Sequence, residues 1–232
     1  MNEYSELSHY HSFMEYFGDK ITFQTFDDKV KNKKLIKQLH GSLKQHFKTL
    51  SRLNKQGAGI FFCVNETNLE GRSTKNITKV RAVFIDLDGS PLPQKFEVQP
   101  HIIVNSSPNK YHCYWLVEDM ILDSFSLFQE ALANKFNSDP KVKDLPRVMR
   151  VAGFYHNKTK TPYPVKVINR IDRQPYTQKE IKEGLMLKRP ERKKITDFKP
   201  SYYQGKYSGT LRYGSKEGDR HAQLVKMLIA IR

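Results

Sequence analysis

The sequence predicts an α/β protein of the α+β kind, a mixed or antiparallel sheet flanked by helices, and three observations predict it. The densest strand signals fall close together, at 80–86, 102–105 and 111–117, and the last two flank a short Ser-Pro-Asn-Lys turn, as a hairpin does. Apolar residues at three- and four-residue steps mark amphipathic helices before and after that cluster. A further strand and helix precede it, so strands and helices are interleaved along the chain.

In chain order, residues 3–17 place Leu7, Phe13, Met14, Tyr16 and Phe17 at helical spacing, and Gly18-Asp19 ends the segment. Residues 21–26 alternate as a strand, with Asp27-Asp28 as its turn. Leu35, Ile36, Leu39, Leu43, Phe47, Leu50 and Leu53 predict one helix over 33–54, broken by Gly57-Ala58-Gly59. A strand follows at 60–64, and the polar stretch 65–79 reads as a loop. After the central strands, Phe125, Phe128, Ala131, Leu132 and Phe136 share a helix face, and 137–146 reads as a loop. A last strand is expected at 165–168, and Thr177 caps a short helix reaching Leu187. From Lys188 a polar, basic stretch reads as a linker or arm to 217, and 218–232 opens a further helical segment. Residues 1–187 therefore form the main domain, an N-terminal α/β unit over about 1–79 and a core over about 80–187.

Composition narrows the function. The chain has 232 residues with 38% apolar content, enough for a sizeable core. No apolar run approaches the roughly 20 residues of a membrane span, and the polar N-terminus is no signal peptide, so a cytoplasmic location is expected. Cys63 and Cys113 form no CxxC pair and sit in apolar runs, so buried thiols are expected and a zinc site is not. Forty Lys and Arg against 24 Asp and Glu leave a net charge of +16, a field that favours polyanions, nucleic acid above all.

Three runs carry chemistry. In Arg81-Ala82-Val83-Phe84-Ile85-Asp86-Leu87-Asp88-Gly89 an apolar strand ends in two carboxylates. Strand residues i and i+2 share a face about 7 Å apart, and two such carboxylates repel unless a cation lies between them, so Mg²⁺ or Mn²⁺ suits their hard oxygens. The hairpin around Ser106-Ser107-Pro108-Asn109-Lys110-Tyr111-His112 offers Lys110 and His112 to a phosphate. Between Asp139 and Lys158, Arg147, Arg150, His156 and Lys158 form a cationic cluster among apolar residues; an arginine pair grips phosphates bidentately, and Asp139 or Asp144 offers a third carboxylate. Each run alone also has an ordinary reading, respectively a solvated turn, a surface hairpin and a basic surface segment. Together they are the parts of a two-metal phosphoryl-transfer site.

These runs, with Leu53-Asn54-Lys55-Gln56-Gly57-Ala58-Gly59-Ile60-Phe61, resemble the archaeo-eukaryotic primase superfamily, most closely the RepB-type primase domain of plasmid and phage replication proteins, over about residues 50–170. The resemblance implies an RRM-like sheet with helices, fused to an N-terminal α/β unit. It implies Asp86, Asp88 and Asp139 as catalytic ligands of two divalent ions, with Asp139 preferred to Asp144. It places Ser107, Lys110, His112, Arg147, Arg150, His156 and Lys158 around the incoming NTP or dNTP. Arg72, Lys75, Arg192, Lys193 and Lys194 are then candidates to hold the single-stranded DNA template. The implied reaction is template-directed joining of nucleotides, including primer synthesis. In relatives a helical domain and then a helicase often follow, and 218–232 resembles the start of that helical domain.

Two other classes share parts of this pattern. Asp86-Leu87-Asp88-Gly89-Ser90 also resembles the opening of haloacid-dehalogenase phosphatases, but Gly218-Asp219 lies too near the chain's end for their later acidic motif. A non-catalytic, nucleic-acid-binding replication initiator would keep the charge without needing the aspartates. Residues 158–199 hold 13 Lys or Arg against 5 Asp or Glu, a net of +8, which predicts DNA affinity falling steeply with salt.

Overall fold

A computed structural model describes residues 13–30 and 33–190. Most of the helix predicted at 3–17, nearly all of the arm at 188–217 and the whole helix at 218–232 lie outside the described residues, as do Arg192, Lys193 and Lys194.

The first strand, β1 (Ile21–Asp27), stands where alternation predicts it. Residues 33–54 do not form one helix. Lys33–Leu35 is a 3-10 turn, Gln38–Gly41 is strand β2, and only Leu43–Lys55 is helix α1. The break is local: Gly41 takes φ +134°, open to glycine, and Ser42 is an extended N-cap accepting from the Gln45 amide at 3.2 Å. Leu39 fits the helical spacing by coincidence; its backbone pairs with Phe23 of β1. Helix α1 buries Leu43, Phe47, Leu50 and Leu53.

Strand β3 (Ala58–Cys63) follows, and then the predicted loop 65–79 proves to contain a small antiparallel pair, β4 (Glu66–Thr67) and β5 (Ile77–Lys79). The chain continues through β6 (Ala82–Leu87), β7 (Ile102–Ser107), β8 (Lys110–Leu116) and helix α2 (Leu122–Phe136). Asn137 closes α2 in the left-handed region that asparagine tolerates. Strand β9 (Val148–Arg150), the pair β10 (Tyr155–His156) and β11 (Tyr163–Pro164), strand β12 (Lys166–Arg170) and helix α3 (Gln178–Gly184) complete the order. Thr177 caps α3, as the sequence predicts, and Glu180 returns the bond to complete a capping box.

Two four-stranded antiparallel sheets organise these elements, in the orders β2-β1-β3-β9 and β12-β7-β8-β6. The fold is thus mixed α/β, with antiparallel sheets flanked by helices. The core is continuous between the sheets: the buried Tyr114 ring of β8 lies 6.5 Å from Phe62 of β3 and 6.0 Å from Phe13. β6 reads as an apolar run up to Asp86 because Ala82, Val83, Phe84 and Ile85 are all buried, as is Leu87 beyond it.

β6 lies at the end of its sheet, and its outer edge is covered. The Gln129 side chain from α2 accepts from Phe84 N at 3.0 Å and donates to Phe84 O at 2.9 Å. Two residues further along β6, Asp86 O accepts from the Asp139 amide at 3.1 Å. A side-chain amide and a loop amide therefore complete the strand that carries the first carboxylate.

Candidate functional site

Antiparallel pairing of β6 with β8 sets Asp86 directly opposite His112 and Leu87 opposite Tyr111. Asp86 Oδ1 lies 3.7 Å from His112 Nε2, and beyond the strand end Asp88 Oδ1 meets Lys110 Nζ at 2.6 Å. The outcome is two contacts side by side, a carboxylate with an imidazole and a carboxylate with an ammonium. Asp88 and Lys110 are about half exposed (53% and 44%), whereas the His112 side chain is 6% exposed. Burial holds the His112 pKa below the ordinary histidine value although Asp86 opposes this, so the ring is neutral. Its Nδ1 lies 3.3 Å from the buried Tyr114 hydroxyl, which fixes the ring's orientation.

The β7–β8 hairpin turns tightly at Pro108-Asn109, with Ser107 opposite Lys110 and Asn109 at φ +60°. Ser106 and Ser107 are both buried. Asn105 Nδ2 donates to the carbonyls of Ser107 and Lys110 at 2.8 and 3.0 Å, stiffening the tip.

Asp139 reaches β6 by its backbone, while its carboxylate accepts from the Lys141 amide at 2.9 Å. Asp86, Asp88 and Asp139 do not converge: among the described residues, no group of three or more His, Cys, Asp or Glu is arranged to hold a metal ion. The donor chemistry nevertheless fits a hard divalent cation at the pair Asp86 and Asp88, two carboxylates of which Asp88 now faces the Lys110 ammonium and Asp86 the neutral His112 ring. The Asp139 carboxylate would have to turn from its Lys141 amide to join them.

The cationic run is distributed over several partners. Arg147 pairs with Asp144 and donates to the Lys141 carbonyl. Arg150 is buried and engages Asp28 through both guanidinium nitrogens at 2.9 Å, with its plane 4.5 Å from the Phe61 ring centre. Lys158 is exposed, and His156 is half-buried beside the hairpin, its Nδ1 3.1 Å from Ser106 O. Arg150 still belongs electrostatically to the site, since its charge lowers the pKa of both His112 and His156. Of the template candidates, Arg72 donates to Pro146 O at 2.9 Å and Lys75 is exposed. Cys63 and Cys113 are buried free thiols whose pKa values burial raises to about 11 and about 12.

The residues that brace Arg150 and His156 are not legible as such in the sequence. Asp28 read as a turn residue, yet its carboxylate holds Arg150 and also accepts from the Asn157 amide at 3.0 Å. Asn157 and Asn54 both donate to Ala58 O, and Asn54 exchanges bonds with the Tyr155 backbone. One signal was available: Gly59 inside an apolar strand marks a close approach. A Cβ there would lie 2.5 Å from Arg150 Nη1.

A family model described as the RepB DNA-primase N-terminal domain matches residues 68–192, more than half of the chain. The chain belongs to the RepB primase family. That family falls within the archaeo-eukaryotic primase superfamily. Solved structures agree in fold. The primase-polymerase (PrimPol) domain of cyanophage S-2L superimposes with a TM-score of 0.61 at 18% identity, covering 77% of this chain and 97% of that one. The catalytic domain of primase RepB′, solved in complex with initiator DNA, gives 0.56 at 18% identity, over 78% and 92%. A longer RepB′ primase structure gives 0.56 at 16% identity, over 98% and 69%. No curated protein matches the chain in sequence. Among the described residues of this RepB-family chain, no helix is long and apolar enough to cross a membrane.

Proposed function

We propose that this RepB-family chain is a DNA-directed nucleotidyltransferase that makes primers on single-stranded DNA from NTPs or dNTPs and extends them, in cytoplasmic plasmid or phage replication. The observation that carries the reading is the pairing of Asp86 with His112 and of Asp88 with Lys110 across β6 and β8, inside the span the family model matches. Asp86, Asp88 and Asp139 are the candidate ligands for two Mg²⁺ or Mn²⁺ ions, which when bound would align attacking hydroxyl and leaving pyrophosphate and neutralise the charge between them.

The chain's own groups do the positioning. Ser107, Lys110 and His112 line the hairpin side, where an ammonium and a neutral imidazole N–H can donate to phosphate oxygens. Arg147 and Lys158 extend the cationic side, and Arg150 is held behind it by Asp28. Arg72 and Lys75 are candidates for the template, and so, in the segment after residue 190, are Arg192, Lys193 and Lys194. The initiator DNA in the RepB′ complex supports a DNA partner here. On this reading residues 1–187 are the catalytic domain, 188–217 an arm, and 218–232 the entry to a helical domain, with a helicase as a further partner.

A second reading, a non-catalytic replication initiator, is favoured by the lack of a formed three-ligand cluster among the described residues. One assay separates the two. With single-stranded DNA, nucleotides and Mg²⁺ or Mn²⁺, the enzyme yields labelled oligomers, and Asp86→Ala and Asp88→Ala each abolish them without unfolding the chain. DNA binding with no product from the wild type would establish the initiator instead.

A further inference from the structure

His156 lies within the cationic run, yet one of its ring nitrogens is left to accept rather than donate. Its Nδ1 is 3.1 Å from the Ser106 carbonyl oxygen. A carbonyl oxygen only accepts, so Nδ1 carries the ring proton. Burial, then the Arg150 charge, hold the ring's pKa below the ordinary value, with Lys158 adding to this and Asp28 and the Ser106 bond opposing it. The imidazole is therefore neutral, and Nε2 presents a bare lone pair. That Nε2 is buried and has no hydrogen-bond partner. Buried polar atoms are nearly always partnered, and an orphan among them points to a partner supplied in function.

The place matters as much as the atom. Ser106 opens the hairpin that carries Ser107, Lys110 and His112. The Asn157 amide next to His156 is fastened to Asp28, and Tyr163, opposite His156 in β11, bonds Asn105 Oδ1 through its hydroxyl at 2.5 Å. The backbone that carries the ring is thus held on both sides, and the ring itself is tied to the hairpin at Ser106 O. A phosphate oxygen, itself an acceptor, has nothing to offer a bare lone pair. A hydroxyl or an N–H does. Base N–H groups differ among the four nucleotides and are engaged by the template, whereas a sugar hydroxyl is common to all.

Resting on the nucleotidyltransferase reading, we propose that His156 Nε2 accepts a hydrogen bond from a sugar hydroxyl of the incoming nucleotide. His156 is then a sugar-selecting residue rather than part of the triphosphate grip. A site built to bond a hydroxyl rejects analogues lacking it, because its own polar atom is left unpaired.

The test is single-nucleotide incorporation by the full chain on a primed single-stranded template, with KM and kcat measured for NTP, dNTP and 2′,3′-dideoxy-NTP of each base. The wild type discriminates against the dideoxy form by about tenfold or more in KM, the order expected for one lost hydrogen bond to a buried group. His156→Phe removes that discrimination by raising KM for hydroxyl-bearing nucleotides only. His156→Gln keeps it, since its amide can donate to Ser106 O and present a carbonyl in place of Nε2. His156→Met replaces the Phe variant if that one fails to fold. The ratio of NTP to dNTP shows whether the 2′ or the 3′ hydroxyl is the donor, and either supports the proposal. Loss of KM equally for all three sugars, loss confined to one base, or no change at all from a resident water on Nε2, would each overturn it. A wild type that incorporates no nucleotide removes the underlying functional reading and the proposal with it, a different outcome from an active enzyme whose His156 is blind to sugar.

Discussion

Asp28 and Arg150, 122 residues apart, meet in a two-pronged ion pair with both N–O distances at 2.9 Å and side chains only 2% and 8% exposed. The pair ties the turn after β1 to β9, the strand that completes the first sheet, and so fixes Arg150 within the cationic run. Removing one partner strands a buried charge. Asp28→Ala is expected to destabilise the fold by about 3–5 kcal/mol, read as a lower urea midpoint. Asp28→Leu combined with Arg150→Met should cost less than the two single changes added together. Additive losses would show that the two charges do not stabilise each other.

Gly59 exists for that pair. A Cβ would sit 2.5 Å from Arg150 Nη1 and 2.7 and 2.8 Å from the Asp28 carboxylate oxygens. Gly59→Ala should therefore cost about 1–3 kcal/mol by overpacking, although alanine suits a strand better than glycine. In an Arg150→Met background the penalty should shrink. An equal loss in both backgrounds would move the cause away from the ion pair.

Gln129 closes the edge of β6, bonding both backbone groups of Phe84 and also Val142 O. Gln129→Leu leaves those groups buried and unpaired, so a loss of about 1–3 kcal/mol or more is expected. Amide exchange at Phe84 should quicken far more than at Cys113 on the interior strand β8. Unchanged protection at Phe84 would show that the side chain does not seal the edge.

Acid should unfold this protein early. His101 is fully buried; its Nδ1 accepts from Leu116 N at 3.0 Å and its Nε2 donates to Gln174 O at 3.2 Å, so the fold holds the neutral ring. Burial lowers its pKa below 6.5, the value in the unfolded chain. Below pH 6.5 the unfolded chain takes up a proton that the folded one refuses, so stability present above that pH is lost as pH falls through it. Each such histidine adds a slope of up to about 1.4 kcal/mol per pH unit, and His112 and His156 shift in the same direction. Urea unfolding from pH 8 to 5 should show a plateau and then a decline starting near 6.5. His101→Gln should lower the plateau and soften the decline; an unchanged slope would exclude His101 as a source.

Much of the architecture was legible locally. The first four residues of β6 are buried on both faces and so read as an apolar run, the hairpin announces itself by its Pro-Asn turn, and α3 by its Thr177 cap. The start of α1 was not legible, because Leu35, Ile36 and Leu39 satisfy helical spacing while the backbone breaks at Gly41-Ser42. Strands β9, β10 and β11, two or three residues each, are too short for alternation to register.

The sequence by itself determined the chemistry on offer: carboxylates at a strand end, a hairpin with Lys110 and His112, a run of cations, and the motifs that place the chain among RepB primases. Tertiary structure alone decided how those groups are spent. It set Asp86 against His112 and Asp88 against Lys110, took Arg150 for Asp28, closed β6 with Gln129, and turned His156 from a cation in a basic run into a neutral ring with an idle lone pair. The reason is physical. Residue type and local spacing fix what a side chain can donate, accept or carry, while its actual partner, protonation state and exposure depend on chain segments far away in sequence.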